Sequence, residues 1–445
     1  MQTRTEAEGD EGNNLKLIAL KHVFAIGIGN GLEFYDWMTF AFFSLQISHS
    51  FFPKELTSNG LIYSLAIFGA GFFMRPLGAI VIGSLGDRQG RKPAMLLSFG
   101  LMGVGVIGVA LTPSFATIGF AAPVILLGFR LVQGFALGGE IGPSTAALLE
   151  MAPLHRRGQY VAMQFATQNL STVVAGGVGF TLASLLTPEE LGSWGWRVAF
   201  LGGAAIVPFG LMIRNRLPET LHLAGASEQG GAGRPVTLAM AVGGLLLIGQ
   251  GSTLTYSVDY ISTFAQDSLH LSAKLAFGAA LINGVTCVIC DVLSGMMSDR
   301  LGRRPVVLTA QALLLLTAIP VYLLISRHPG IGLLYAGSAL LAGLKSFVIG
   351  PAFVAMTESL PKAIRSRGLS IVYALGLAIF GGTTQFGVKA LLDATGSRLI
   401  PAFYMTAAVC IGVVVIVKMR ETAPVKILAN AEDSADPVLA AEGAG

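Results

Sequence analysis

The chain has 445 residues, of which 53% are hydrophobic and 12% are charged, with a formal net charge of +4. Ordinary soluble domains carry about 25% charged residues, so this composition excludes a water-soluble fold and indicates a membrane protein. The apolar segments are continuous and lack the alternation of transmembrane β-strands, so we predict helices, which satisfy their own backbone hydrogen bonds in lipid. The predicted fold class is an all-α membrane protein.

The chain opens with residues 1–16, which are polar and acidic and predict a disordered cytoplasmic N-terminus rather than a signal peptide. Six apolar segments follow, each long enough to cross a bilayer, which takes about 20 residues. Their predicted bounds are 18–47, 60–84, 94–112, 118–149, 159–187 and 197–216. We number them spans 1 to 6 and assign them to an N-terminal bundle, residues 17–216.

The polar stretch 217–236 interrupts the pattern near the middle of the chain and is predicted to be a cytoplasmic linker. Spans 7 to 12 are then predicted at 237–264, 272–298, 305–326, 330–357, 367–392 and 398–419. They form a C-terminal bundle, residues 237–420, which is followed by a cytoplasmic tail, residues 421–445. The predicted architecture therefore has 12 transmembrane helices in two six-helix bundles.

Two charged motifs occur in both halves of the chain. One is the loop "GSLGDRQGRKP" after span 2, which returns 212 positions later as "GMMSDRLGRRP" after span 8. The other begins with a glutamate after span 4 and returns 208 positions later after span 10. The matched residues are Asp87, Arg91 and Glu150 in the first half and Asp299, Arg303 and Glu358 in the second. Such a repeat predicts a duplicated, pseudo-symmetric unit.

The lysines and arginines are distributed unequally between the two predicted membrane faces. Of the 29, 20 lie on the face that carries the two charged loops and both termini. Because positive residues accumulate in cytoplasmic loops, we predict that both termini are cytoplasmic.

Several motifs together resemble the major facilitator superfamily, and within it the metabolite:proton symporter family of citrate/organic acid and proline/betaine type. The loop Gly83–Pro93 resembles the superfamily signature, and the closer resemblance is carried by "GNGLEFYDW", "MRPLGAIVIG", "RLVQGFALGGE", "WGWRVAF" and "RLPET". The resemblance covers residues 20–422 and implies two bundles that rock about a central cavity. It further implies a gate in which Asp87 caps the N-terminus of span 11 and Arg91 binds Glu150, with a mirrored gate at Asp299, Arg303 and Glu358.

Ionisable side chains at membrane depth are costly and indicate function. The resemblance implies that Asp36 in span 1 pairs with Arg130 in span 4 for proton coupling; a purely structural ion pair is the alternative. Glu33 lies one helical turn from Asp36, and two acids so placed resist ionising together. Glu140 lies almost in phase with Arg130, as a second proton carrier or as a packing residue.

Other residues are candidates for substrate binding because they place charge or hydrogen-bonding groups inside spans. Arg75 and Lys345 could bind a carboxylate. For Lys345 the alternatives are an interfacial position or pairing with Asp259 or Asp291. The remaining candidates, for which helix packing is the alternative, are Tyr256, Tyr260, Gln133, Gln168 and Asn169.

The function predicted from these residues and the resemblance is import of a small organic acid, citrate-like or another carboxylate, by proton symport through alternating access. The alternatives are proton symport of a zwitterion such as proline or betaine, or a proton-driven exporter. We expect no enzymatic activity, no metal site and no cofactor, with the proton as coupling ion. The expected partners are the small-molecule substrate, protons and the lipid bilayer of a bacterial inner membrane, with no nucleic acid, and the expected state is a monomer.

Overall fold

The computed structural model describes residue 31 and residues 34–53, 57–89, 91–139, 141–204, 238–361 and 365–427. The predicted linker 217–236, the first 16 residues and the last part of the predicted tail lie outside these ranges. Within them the regular structure is helical and no strand is present. The prediction of an all-α fold is therefore confirmed.

Spans 2 to 5 are described over most of their length, spans 1 and 6 over a part of theirs, and several spans are built from two helices. The bounds are 34–42 and Ser44–Phe51 for span 1, Thr57–Phe73 and Arg75–Gln89 for span 2, Arg91–Leu111 for span 3, Ala121–Ala136 and Ile141–Met151 for span 4, Arg157–Leu185 for span 5 and 196–204 for span 6. A π-helical turn, Leu191–Gly195, precedes span 6.

Spans 7 to 12 have the same general form. The bounds are Leu238–Asp259 and Ile261–Asp267 for span 7, Ala273–Leu301 for span 8, Arg303–Arg327 for span 9, Ile331–Ser359 for span 10, Arg365–Gly376 and Gly382–Thr395 for span 11 and Ile400–Lys418 for span 12. Span 11 is interrupted by the π-helical turn Leu377–Gly381.

Seven helices of the described chain are long and apolar enough to cross a membrane by length and composition. Span 5 has 29 residues and is not among them, because glutamine and asparagine side chains lower its hydropathy. Large apolar side chains stay exposed on the outside of the described helices, for example Leu185 of span 5 at 76% and Leu316 of span 9 at 70%. Such an apolar exterior suits contact with lipid hydrocarbon.

Spans 5 and 8 pack along each other and join the two bundles through small residues. A Cβ atom on Gly176 would lie 2.7 Å from the backbone nitrogen of Leu281, and one on Gly284 would lie 2.7 Å from that of Val173. Because backbone atoms cannot move aside as a flexible side chain can, these glycines permit the close approach of the two helices.

We expect Gly176→Ala to lower the free energy of unfolding by about 1–3 kcal/mol, since the added methyl group forces spans 5 and 8 apart. Thermal unfolding of the purified protein, followed by tryptophan fluorescence, measures the effect. Gly100→Ala in span 3 is the matched control, because a Cβ there meets nothing within 4 Å. Equal stability of the two variants would contradict the packing argument.

Candidate functional site

A cavity with about 900 Å³ of empty space, part of it open to solvent, lies between the two bundles. Its wall takes side chains from spans 1 and 5 of the first bundle and from spans 7, 8, 10 and 11 of the second. The charged residues on this described wall are Asp259, Asp291 and Lys345, so its formal charge is negative. The remaining wall is mostly apolar, with amide, hydroxyl and tyrosine groups spaced along it.

Lys345 is the central cation of this wall. It lies on span 10 and is only 2% exposed. Its ammonium group interacts electrostatically with both Asp259 and Asp291, yet within the described part of the chain it forms no direct ion pair with either. A buried cation that lacks a close counter-ion is well suited to bind an anionic group that enters the cavity.

Each aspartate of the wall is held by an asparagine. Asp259 accepts a hydrogen bond of 2.9 Å from Asn283 of span 8, which belongs to the same bundle. Asp291 accepts one of 2.8 Å from Asn169 of span 5. The second bond therefore crosses the interface between spans 5 and 8, from one bundle to the other.

A second charged group lies within the first bundle. Arg130 forms an ion pair with Asp36 in which the Nη1 and Oδ2 atoms are 3.2 Å apart, and both residues are almost fully buried. The same Nη1 atom donates a hydrogen bond of 2.7 Å to Gln133. The structure thus brings together the two residues that the sequence resemblance paired.

Aromatic rings surround this ion pair. The guanidinium group of Arg130 lies 4.1 Å from the centre of the Trp37 ring, and that of Arg75 lies 4.6 Å from the same ring. Such cation–π contacts favour a buried cation that has left water. Tyr256 lines the cavity and packs edge-on against Phe72 at 5.2 Å, so the aromatic cluster connects the ion pair to the cavity wall.

The predicted substrate-binding residues divide into two groups. Those that line the cavity are Lys345, Tyr256, Gln168 and Asn169, and those that do not are Arg75, Gln133 and Tyr260. Arg75 is held in the aromatic cluster, and Gln133 is bonded to Arg130. Tyr260 follows Tyr256 by one turn, since its backbone N–H donates to the carbonyl of Tyr256 at 3.1 Å, but its side chain is fully buried in the hydrophobic core. Glu33 and Glu140 lie outside the described residues.

The charged loop of the second half forms a compact cluster. Arg303 contacts Asp299 at 2.6 Å and Glu358 at 3.4 Å. Two residues of the predicted tail join it: Thr422 donates a hydrogen bond of 2.7 Å to Glu358, and Glu421 accepts one of 2.8 Å from the backbone nitrogen of Arg303. The side chains of Asp87, Arg91 and Glu150, which form the first copy, lie outside what the structure describes.

Asp299 also connects the two bundles. Its two carboxylate oxygens accept hydrogen bonds from the backbone nitrogens of Gly158 and Gln159, at 2.8 and 2.9 Å. These nitrogens belong to the N-terminus of span 5, where the positive end of the helix dipole favours an anion. An acid of span 8 therefore caps a helix of the other bundle.

The opposite end of the cavity is bridged as well. Gln46 of span 1 donates a hydrogen bond of 2.8 Å to Gln266 of span 7. Nearby, the rings of Phe43 and Phe277 have centres 4.6 Å apart. Polar contacts of this kind can break and re-form as bundles move, whereas a continuous core cannot.

Sequence reasoning missed Asn283, although a signal for it was present. Asn283, Cys287 and Asp291 follow one another at intervals of four residues in span 8, and residues spaced in this way share one face of a helix. All three are buried. This face carries the carboxylate of Asp291, which lines the cavity, and the amide of Asn283, which donates to Asp259 of the cavity wall.

Two helical bundles, a cavity between them and breakable contacts at both of its ends define the architecture of a membrane transporter that works by alternating access. A sequence profile described as "sugar (and other) transporter" matches residues 22–232 and again residues 226–430. The chain therefore belongs to this transporter family of the major facilitator superfamily. The family membership confirms the prediction of a transporter rather than an enzyme.

Relatives of several kinds resemble the chain over nearly its whole length. It is 33% identical to the citrate-proton symporter of Klebsiella pneumoniae, covering 87% of this chain and 89% of that protein. It is 30% identical to the alpha-ketoglutarate permease of Escherichia coli (85% and 88%) and 27% identical to the proline/betaine transporter of Salmonella typhimurium (91% and 84%).

Among solved structures, the proton:xylose symporter XylE bound to 6-bromo-6-deoxy-D-glucose matches with a TM-score of 0.73 at 16% sequence identity. The match covers 91% of this chain and 96% of that one. At this identity the likeness shows the fold alone, and it confirms the predicted twelve-helix major facilitator fold.

Proposed function

We propose that the protein imports a small organic acid, of citrate-like or other carboxylate type, together with protons across a bacterial inner membrane, with both termini in the cytoplasm. The observation that carries this proposal is Lys345, a buried cation on the cavity wall that has no direct ion pair among the described residues. Relatives named as citrate-proton symporters and as an alpha-ketoglutarate permease support it. The protein is proposed to act as a monomer.

Proton coupling is assigned to Asp36 and Arg130. While the two are in contact, the arginine stabilises the ionised carboxylate of Asp36. A shift of span 1 against span 4 lengthens the 3.2 Å contact and removes that stabilisation, so Asp36 takes up a proton. The aromatic cluster around Trp37 excludes water from the pair and transmits movement of Tyr256 to it.

Gating is assigned to the contacts at the two ends of the cavity. With Asp299 on the N-terminus of span 5, the bundles are held together at the end that carries the charged loops. The hydrogen bond between Gln46 and Gln266 holds the bundles together at the other end. Release of the Asp299 contact opens the end that carries the charged loops, and release of the Gln46–Gln266 bond opens the opposite end. Only one end needs to be open at a time for the substrate and the proton to cross together.

A second candidate function is proton symport of a zwitterion. The cavity wall carries two aspartates beside its one lysine, which suits a solute that has both a carboxylate and a cationic nitrogen. The proline/betaine relatives favour this candidate.

Uptake into proteoliposomes that hold the purified protein under an inward proton gradient separates these possibilities. A panel of citrate, tricarballylate and 2-oxoglutarate is compared with proline and betaine. We expect a carboxylate to accumulate and a proton ionophore to abolish that accumulation. Accumulation of proline or betaine alone would replace the first candidate with the second, and accumulation of none of the five would contradict both.

We expect Asp299→Asn to slow transport about fivefold while leaving the Kd for the substrate within about twofold, because a cap that accepts from a helix N-terminus contributes about 1 kcal/mol. Initial uptake rates and equilibrium binding, measured on the same preparation, give the two quantities. Asp393→Asn is the matched control, since among the described residues Asp393 pairs with Lys389 of its own span, at 2.7 Å. A normal rate in Asp299→Asn would contradict the gating role.

A further inference from the structure

The charged residues of the described cavity wall sum to one negative charge, which is unfavourable for binding an anionic substrate. Asp259 and Asp291 contribute two negative charges, and Lys345 contributes one positive charge. A carboxylate that approaches Lys345 is attracted by the ammonium group and repelled by both aspartates. Favourable binding therefore calls for one of the two acids to become neutral as the substrate arrives.

We propose that Asp291 takes up a proton when a substrate carboxylate binds Lys345, so that the substrate replaces Asp291 as the counter-ion of the lysine. This inference rests on the proposed function and adds a proton site in the second bundle to the one assigned to Asp36. A hydrated proton from the solvent that enters with the substrate is transferred to a carboxylate oxygen of Asp291, so one O–H bond of hydronium breaks as the O–H bond of Asp291 forms, and the proton returns to solvent water when the substrate is released. No other covalent bond forms or breaks.

The contact between the bundles selects Asp291 over Asp259. Asp291 accepts its 2.8 Å hydrogen bond from Asn169 of the opposite bundle, whereas Asp259 is bonded to Asn283 within its own. A donor to a carboxylate stabilises the ionised form. When the bundles move and Asn169 withdraws, Asp291 loses that stabilisation, so its protonation is tied to the transport movement.

Among the described residues, few other groups near Asp291 could take the proton. Facing it are Lys345 and Ser346 of span 10, Asn169 of span 5, Asp259 of span 7, and Cys287 and Cys290 of its own span. The hydroxyl and amide groups do not titrate near neutral pH, and a cysteine thiol carries no charge to neutralise. The choice therefore lies between the two aspartates, and only Asp291 is connected to the movement of the bundles.

The pH dependence of citrate binding to the purified full-length protein tests the inference. Calorimetric Kd values are measured over a pH range in which free citrate is fully ionised. The slope of log Kd against pH counts the protons taken up on binding. We expect Asp291→Asn to lower this slope by one and to bind citrate more tightly than the wild type at the alkaline end. Asp291→Glu, which keeps a titratable carboxylate, is expected to restore the slope.

A second variant keeps Asp291 and changes the pH at which its carboxylate takes up the proton. Asn169→Ala removes the donor to the carboxylate, so the midpoint of the pH dependence is expected to shift to higher pH. An unchanged midpoint in Asn169→Ala, or a wild-type slope in Asp291→Asn, would overturn the inference. Wild-type protein that binds no carboxylate at any pH would instead defeat the proposed function, and with it this inference.

Discussion

Replacing Lys345 with glutamine is expected to weaken the binding of carboxylate substrates by about 10- to 100-fold, because hydrogen bonds to a charged group contribute about 1.5–3 kcal/mol. The ammonium group of Lys345 is the cation of the described cavity wall, and glutamine of similar length cannot supply its charge. Equilibrium binding of citrate to the purified variant measures the loss. Lys345→Arg, which keeps the charge, is expected to retain part of the affinity.

Lys389→Gln is the matched control for this experiment. Lys389 is also a buried lysine within a span, but it is paired with Asp267 at 2.8 Å and Asp393 at 2.7 Å, and it does not line the cavity. Its substitution is expected to affect stability and not the Kd. If Lys345→Gln binds citrate as the wild type does, the lysine is not the anion-binding group, and the carboxylate proposal loses its main support.

Replacing Asp36 with asparagine is expected to reduce accumulation of the substrate about tenfold for each pH unit of gradient, which is the accumulation that one coupled proton supports. Exchange of labelled for unlabelled substrate across the membrane is expected to continue, because exchange needs the cavity and the gates but no net proton movement. Both quantities are measured in the same proteoliposomes, and the contrast between them identifies a coupling residue.

Asp267→Asn serves as the control for Asp36→Asn, since Asp267 is likewise an acid paired with a cation, Lys389, but lies away from the cavity. It is expected to preserve both accumulation and exchange. Undiminished accumulation in Asp36→Asn would remove Asp36 from proton coupling. Loss of exchange as well as accumulation would mean that the ion pair with Arg130 has a structural role.

The features that could be predicted from the sequence are those encoded within one segment or repeated between the halves. Continuous apolar runs predicted the helical membrane fold, and the repeated charged loops predicted the duplication. The placement of Asp36 beside Arg130 followed from a resemblance, and the structure brings the two side chains into contact. Lys345 was a candidate because a cation at membrane depth is costly.

The remaining features depend on tertiary packing that local pattern does not encode. The bond between Asn169 and Asp291 exists only because spans 5 and 8 pack closely across the bundle interface. Arg75 was expected near the substrate, but its guanidinium group packs against Trp37 and Phe72 instead. Tyr260 was expected near the substrate beside Tyr256, but its side chain is fully buried in the hydrophobic core and does not line the cavity.

The contacts of the predicted tail also depend on tertiary packing and could not be predicted from local pattern. Residues 421–445 were predicted as a segment apart from the bundles because they are polar and follow the last span. Glu421 and Thr422 nevertheless contact the cluster of Arg303 and Glu358. Their contribution depends on where span 12 ends relative to span 9, which only the packed structure defines.

The most direct test of proton symport is the movement of protons when substrate is added without any imposed gradient. Proteoliposomes in weakly buffered medium receive citrate on the outside, and the external pH is recorded. We predict that the medium becomes more alkaline as citrate enters, and that Asp36→Asn diminishes this change. Entry of citrate with no change in external pH, in the wild type, would contradict proton symport.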